Sequence, residues 1–276
     1  MKIIDNNIFT LNGNFDLPIS SQCTMNCKGC SYLDYLDIGN TIKDNMTLND
    51  IKYICDKLIN LKIKLSKLTF LGGEPTMNSD FLEMAKYIFK YKGIIYDGLK
   101  IVSNGTKINS KFLKSLKYFD SVRFSIYPTN IELKNKIEDS GLSDYIKTKC
   151  NLEFLIIDEF NQHGKEDLDI DYSKDLNWSR CWYKDWCRVI TTKGIFRCFI
   201  LYNHKKDICD FEDRQKLIDY IEKQAPFKTC EICPQPSKIE KWISLNQTND
   251  SKALKVGLQY INKWEDNIYF IEKYEK

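Results

Sequence analysis

The chain has 276 residues with 43% hydrophobic, 29% charged and 13% aromatic side chains. Those values belong to a folded soluble protein and exclude a disordered one, and the length suffices for one α/β domain with a small appended module. No run approaches 18 consecutive apolar residues, so neither a membrane span nor a membrane partner is expected. The net charge is only +3, and the lysines are interleaved with acids rather than gathered in a basic stripe, so nucleic acid is not an expected partner. The first twenty residues lack a basic segment followed by an apolar one. No secretory signal is expected there, and the cytoplasm is the expected location.

In chain order, Phe15–Ser20 reads as a strand that ends just before the first group of cysteines. Thr47–Asn60 has helical spacing of Ile51, Ile54, Cys55 and Leu58, and Thr47 with Asp50 has the form of a capping signal. Leu65–Leu71 is an expected strand running into Gly72 and Gly73. Helices are expected over Asp80–Lys90, Ser110–Tyr118 and Ile131–Ile137, and strands over Leu99–Ser103, Ser121–Tyr127 and Leu152–Ile157. The alternation argues for a parallel sheet with helices outside it, closing partly into a barrel. Beyond about residue 175 the pattern changes. A hairpin is expected over Cys187–Cys198, with strands Val189–Thr191 and Ile195–Phe199 around Lys193 and Gly194. Helices follow at Phe211–Lys223 and Ser251–Trp264, with a turn-rich knuckle at Cys230–Pro236 between them.

Eleven cysteines are the outlier in composition. An odd count in a chain without a signal argues against a disulfide framework and for metal or redox chemistry. They fall into two groups, 23–30 and 181–233. Cys55 and Cys150 stand apart and read as small buried apolar residues, and Cys209 as no ligand. Cys23, Cys27 and Cys30 place three thiolates within eight residues. Four-iron clusters are held by thiolates, and three ligands leave one iron open to an exogenous molecule, as catalytic metal sites do. A zinc site completed from elsewhere, or a chance grouping, are the alternatives. Polar or glycine-rich segments also stand at the carboxyl ends of successive strands: Gly72-Gly73-Glu74-Pro75, Ser103-Asn104-Gly105 and Ser125-Ile126-Tyr127. In a parallel barrel those ends share the face that carries active sites. Gly72 and Gly73 permit close backbone approach to a ligand, Glu74 offers acceptors to an ammonium group, and Asn104 and Ser125 can bind hydroxyls or a carboxylate.

These segments together resemble the radical S-adenosylmethionine superfamily: CTMNCKGC at 23–30, GGEP at 72–75, SNGT at 103–106 and FSIY at 124–127, in matching order over roughly residues 15–160. The resemblance implies that Cys23, Cys27 and Cys30 ligate a [4Fe–4S] cluster whose open iron binds S-adenosyl-L-methionine. It implies that Gly72, Gly73 and Glu74 meet the amino group, and that Asn104, Ser125 and Tyr127 contact the ribose or carboxylate. Gly29 departs from the pattern, which commonly has an aromatic residue before the third cysteine. The second group resembles the Twitch module, a shortened SPASM domain. That implies an auxiliary [4Fe–4S] cluster on Cys181, Cys198, Cys230 and Cys233, with Cys187 the rival for the first position and a zinc knuckle the alternative.

The expectations are therefore an α/β fold, a partial (β/α)6 TIM-type barrel with a small C-terminal hairpin and helix module. The barrel takes 1–175, the auxiliary domain 176–240 and a helical extension 241–276. The expected function is a radical enzyme oxidising a carbohydrate-like or other small metabolite, with flavodoxin or ferredoxin as electron donor. Only 22 residues precede the first cysteine, which leaves no room for a leader-recognition domain and weighs against a peptide substrate. A peptide or protein maturase is the first alternative, and a non-enzymatic metal-stabilised binding protein the second. Arg188 and Arg197 are candidates to grip a substrate anion, whereas His163 and His204 read as solvated. No catalytic acid or base is assigned beyond guesses at Asp158, Glu159, Tyr183 and Asp185.

Overall fold

A computed structural model of the protein describes residues 7–25, 27, 30, 45–161, 175, 178–179, 181, 184, 187–198, 207–223, 225–227, 230, 239–241 and 247–265. Its centre is an 8-stranded sheet. Strands β1 (Phe9–Ser20), β2 (Ile63–Gly72), β3 (Tyr96–Ser103), β4 (Ser121–Ile126) and β5 (Asn151–Ile156) pair in parallel, each with the next. Helices α1 (Leu48–Asn60), α2 (Phe81–Phe89), α3 (Ser110–Ser115), α4 (Ile131–Asp139) and α5 (Leu142–Lys149) occupy the crossovers. This is the expected α/β architecture of a partial barrel, and the sheet does not close. The expected helix after Ser110 ends at Ser115 and finishes as a 3-10 turn. Helix α5 was not anticipated: it starts behind Gly141, whose φ of 77° ends α4, and its short apolar set of Leu142 and Ile146 gives little periodicity to read.

The hairpin joins the same sheet. Strand β7 (Cys187–Thr191) pairs in parallel with the free edge of β1, β8 (Gly194–Phe196) pairs antiparallel with β7, and β9 (Ile208–Cys209) with β8. The second hairpin strand is shorter than expected, since it ends at Phe196 and Arg197 and Cys198 form a bend. Between β5 and β7 in sequence lies β6 (Glu159–Asn161), which pairs antiparallel with β10 (Ile239–Lys241) outside the main sheet. Helix α6 (Arg214–Glu222) is capped by Asp213, and α7 (Gln247–Ile261) packs against α4. A side chain at Gly257 of α7 would meet the Leu133 side chain of α4 at 2.9 Å and the Thr106 backbone at 3.2 Å, so α7 packs closely there at a position without a side chain.

The two faces of the sheet differ in kind. Phe15, Leu17, Ile19, Leu68, Phe70, Leu99, Ile101, Val122 and Phe124 point one way and are buried under the helices. Ile51, Ile54, Cys55 and Leu58 of α1 meet that face, each large side chain contributing about 1.5–3 kcal/mol by burial. The alternate positions, Asn14, Asp16, Thr69, Lys100, Ser121, Arg123 and Glu153, are mostly polar. A parallel sheet is normally covered by apolar packing on both faces, so this alternation marks the concave side of the half-barrel.

Thr47 and Asp50 form the expected capping box at the start of α1. Gly72 is required by a closer constraint. Its φ is +130°, and a Cβ there would sit 2.3 Å from the Ser20 carbonyl oxygen. Gly72→Ala is expected to lose about 3 kcal/mol through backbone strain and displacement of the β1 end, seen as a fall of about 10 °C in Tm.

Candidate active site

The expected face forms at the carboxyl ends of β1 to β4. The loop after β1 carries Cys23, Cys27 and Cys30, and none of the three is in a disulfide. Met25 and Cys27 are buried, and Cys23, Cys30 and the Tyr127 ring pack against them. The loop is held from below by backbone: Gly73 N–H donates to Ser20 O at 2.8 Å and Glu74 N–H to Gln22 O at 2.7 Å. It is held from one side by Asn45, whose Oδ1 accepts from Ser21 N–H at 2.8 Å, and by Asn78, whose Nδ2 donates to the carbonyls of Ile19 and Met46.

Glu74 is fully buried, and its partners are protein groups. Its carboxylate accepts from Ser103 Oγ at 2.9 Å, Asn104 N–H at 2.8 Å, Thr76 Oγ1 at 2.7 Å and Thr76 N–H at 3.2 Å. Burial raises its pKa while those donors pull it back. The geometry thus gives Glu74 the work of tying β2 to β3. The close neighbour of Gly72 is likewise the β1 backbone.

Asn104 turns toward the cysteine loop. Its Nδ2 donates to Thr24 Oγ1 at 2.9 Å and to Cys23 Sγ at 3.6 Å, and its Oδ1 accepts from Thr106 Oγ1 at 2.6 Å and Thr106 N–H at 3.0 Å. Thr24 and Thr106 hydroxyls meet at 2.5 Å. Asn130 Nδ2 donates to Asn104 O at 2.8 Å and its Oδ1 accepts from Tyr127 N–H at 2.5 Å, which binds the ends of β3 and β4 together. Ser125 is buried, and its hydroxyl hydrogen-bonds the Tyr127 phenol. Sequence reading missed Thr24, Asn78 and Asn130. Asn130 follows Pro128 in a turn, which is a signal, but nothing local says what its amide reaches.

Burial pushes the Cys23 thiol well above its ordinary range, and Cys30, Glu74 and Cys27 push it further. Ionising these thiols therefore needs positive charge beside them, and an iron cluster supplies it. Among the described residues no three His, Cys, Asp or Glu side chains are grouped to hold one metal ion. A cubane takes its thiolates at separate irons rather than at one point, and the all-sulfur donor set of Cys23, Cys27 and Cys30 fits it.

In the second group, Cys181, Cys198 and Cys230 are half-buried and in no disulfide, and Cys233 lies outside the described residues. Arg197 brings these segments together. Its guanidinium stands 5.0 Å from the Trp178 ring and 5.4 Å from the Phe227 ring, next to Cys198 and three residues ahead of Cys181 and Cys230 at each ring. Cys181 and Cys230 lie within electrostatic reach of each other. Arg188 and Arg197 are both buried, Arg188 over the Phe15 ring at 5.9 Å, so neither presents the exposed grip that the sequence allows. Of the guessed acids and bases, Asp158 is exposed and Tyr183 and Asp185 lie outside the described residues.

Cys187 lies within electrostatic reach of Cys198 but hydrogen-bonds a carboxylate. Its Sγ donates to Asp16 Oδ2 at 3.0 Å on the concave face, and burial followed by Asp16 drives the thiol pKa far up. Asn14 Nδ2 donates to the other Asp16 oxygen, and Thr69 Oγ1 to Asn14 Oδ1 at 2.6 Å.

The half-barrel carries at its carboxyl-end rim a triad of thiols, Cys27 buried and Cys23 and Cys30 half-buried. Residues 17–148 match the model of the radical SAM superfamily. No curated protein sequence matches the chain. Among solved structures it is similar to BtrN in complex with AdoMet and 2-DOIA, at 15% identity over 84% of this chain and 94% of that one, with a TM-score of 0.54. It is also similar to native anSMEcpe with bound AdoMet, at 14% identity over 95% of this chain and 99% of that one, with a TM-score of 0.52. At these identities the two likenesses establish the shared fold.

Burial raises Asp16 from an ordinary 3.8 to about 7. The folded state then binds its proton more tightly than the unfolded chain does. The stability this contributes is present below pH 3.8 and is lost as pH rises toward 7. Wild type is therefore expected to lose stability relative to Asp16→Asn across that window, by at most about 1.4 kcal/mol per pH unit, and to run parallel to it above. Urea melts of both proteins at stepped pH check this.

Proposed function

We propose that this chain is a radical enzyme in which Cys23, Cys27 and Cys30 hold a [4Fe–4S] cluster and S-adenosyl-L-methionine binds at its open iron. The observation that carries the reading is the thiol triad, buried Cys27 with half-buried Cys23 and Cys30, packed against Tyr127 and hydrogen-bonded through Cys23 to Asn104, inside the segment that matches the family model. When bound, the cluster supplies the electron that splits the sulfonium into methionine and a 5′-deoxyadenosyl radical, which takes a hydrogen atom from the substrate. The chain's own residues hold the geometry. Glu74 and Asn130 lock three strand ends in register, Asn104 and Thr24 orient the first cysteine, and the Tyr127 ring excludes water from the sulfurs. Gly72, Gly73 and Ser125 shape the rim on which the nucleotide lies.

For the second group the reading is an auxiliary cluster on Cys181, Cys198, Cys230 and Cys233. Cys187 is set aside, because a carboxylate at 3.0 Å opposes the thiolate that ligation needs. An auxiliary cluster gives the substrate radical somewhere to send its electron, hence a net oxidation. The polar concave face, with Asn14, Asp16 and Thr69, suits a small hydroxylated metabolite better than an apolar one.

Anaerobic reconstitution with S-adenosylmethionine and dithionite tests the reading. Wild type is expected to carry about eight irons for two cubanes and to release 5′-deoxyadenosine. Cys27→Ala is expected to lose about four irons and all 5′-deoxyadenosine. Iron-free wild type, or undiminished product from the variant, would sink the assignment. A second expectation concerns Asn104. Hydrogen bonds to cluster sulfurs set reduction potential, so Asn104→Ala is expected to shift the midpoint negative in an EPR-monitored redox titration while leaving iron content intact.

A further inference from the structure

The concave face of the sheet carries a charge imbalance that the cluster chemistry does not use. Lys100 on β3 has its side chain 9% exposed, and Nζ donates to Glu153 Oε2 on β5 at 2.7 Å. Arg123 on β4 donates to the same oxygen through Nε at 2.9 Å. One carboxylate oxygen therefore serves two cations. Among the described residues the terminal nitrogens of Arg123 have no hydrogen-bond partner, and its side chain is 38% exposed. Lys67, on the same face, adds a third positive charge, and electrostatic repulsion from Arg123 and Lys67 acts on Lys100. The other acid of the face, Asp16, is taken by Asn14 and Cys187.

Asp16 also acts on Lys100 electrostatically, so three cations face two acids, and a buried cation that shares its hydrogen-bonded counter-charge with another is incompletely compensated, since desolvation costs several kcal/mol per ion. An arriving anion with two acceptor oxygens would complete the set, and a guanidinium is shaped to bind one in a fork. Position agrees with this. Arg123 is two residues before Ser125 and four before Tyr127, whose ring lies on the thiol triad. At about 3.3 Å per residue, an anion on Arg123 would sit roughly 7 Å below the rim, one small-molecule length from the radical.

We propose that Lys100 and Arg123 form an anion-binding subsite on the concave face of the half-barrel, and that the substrate carries a carboxylate or phosphate held there. The substrate role rests on the radical-enzyme reading; the subsite does not. Calorimetric titration of the reconstituted holoenzyme with inorganic phosphate, and separately with acetate, tests it at low ionic strength. Saturable binding at one site is expected, and the preferred anion tells phosphate from carboxylate. Arg123→Gln should weaken binding tenfold or more. Glu153→Gln should tighten it at least threefold, because it removes the competing carboxylate. A purely structural ion triad predicts instead that both variants lower Tm and leave anion affinity alone, and that result would overturn the proposal. So would no saturable binding of either anion, or competition by S-adenosylmethionine, which would put the cations on the nucleotide's own carboxylate. 5′-Deoxyadenosine formed without anion binding refutes the subsite alone. Anion binding without 5′-deoxyadenosine refutes the enzymatic reading and, with it, the substrate role.

Discussion

The backbone of Gly72 lies against that of Ser20 more closely than any side chain would permit, and the next two amides, of Gly73 and Glu74, donate to the loop that begins there. The start of the cysteine loop is fixed on this seam at Ser20 and Gln22. Glu74 then extends the seam sideways. Its buried carboxylate collects donors from Ser103 and Asn104, and Asn104 in turn reaches Cys23 and Thr24. A chain of short contacts therefore runs from β2 through β3 to the sulfurs, and Asn130 extends it to β4. Removing any one group leaves its partners buried and unsatisfied, which costs about 1–3 kcal/mol for each neutral group.

The sheet separates two environments. On the helix side, Phe70, Phe81 and Phe119 form a ring cluster with centroids 5.6 to 6.4 Å apart, in a dry core. On the concave side the same strands present amides, hydroxyls, two acids and three cations. At the rim Cys27 is buried, with Cys23 and Cys30 half-buried beside it. Low dielectric there makes each hydrogen bond and each unbalanced charge count for more than it would in water. That is the setting in which the Cys23 thiol resists ionisation until a cation arrives.

The hairpin is bound to the same framework through β1. Because β7 adds to the free edge of β1, the strand that launches the first cysteine loop also contacts the second cysteine segment, with Asn14 facing Cys187 in the register. Arg197, clasped between two rings, gathers the three cysteine-bearing stretches that sequence separates by some fifty residues. Any metal chemistry in the second group would thus be rigidly placed relative to the first.

Much of this was legible without coordinates. Alternation of apolar and polar residues announced β1 to β5, the Thr47 and Asp50 pair announced the start of α1, and strand ends followed by Gly72, Asn104 and Ser125 announced the rim. These signals are local, carried by residues within a few positions of one another. Sequence also supplied the donor set, since thiols at 23, 27 and 30 are chemically specific wherever the loop goes. What it could not decide was partnership. Glu74 offered acceptors, and only folding spent them on Ser103 and Asn104. Cys187 was one thiol among five until β7 docked on β1 and set it against Asp16. Lys100, Arg123 and Glu153 looked like ordinary surface charge, because nothing in a strand's own sequence tells which side of the sheet is concave. Those choices depend on contacts between residues 30 to 170 positions apart, and only the packed sheet brings them within hydrogen-bonding distance.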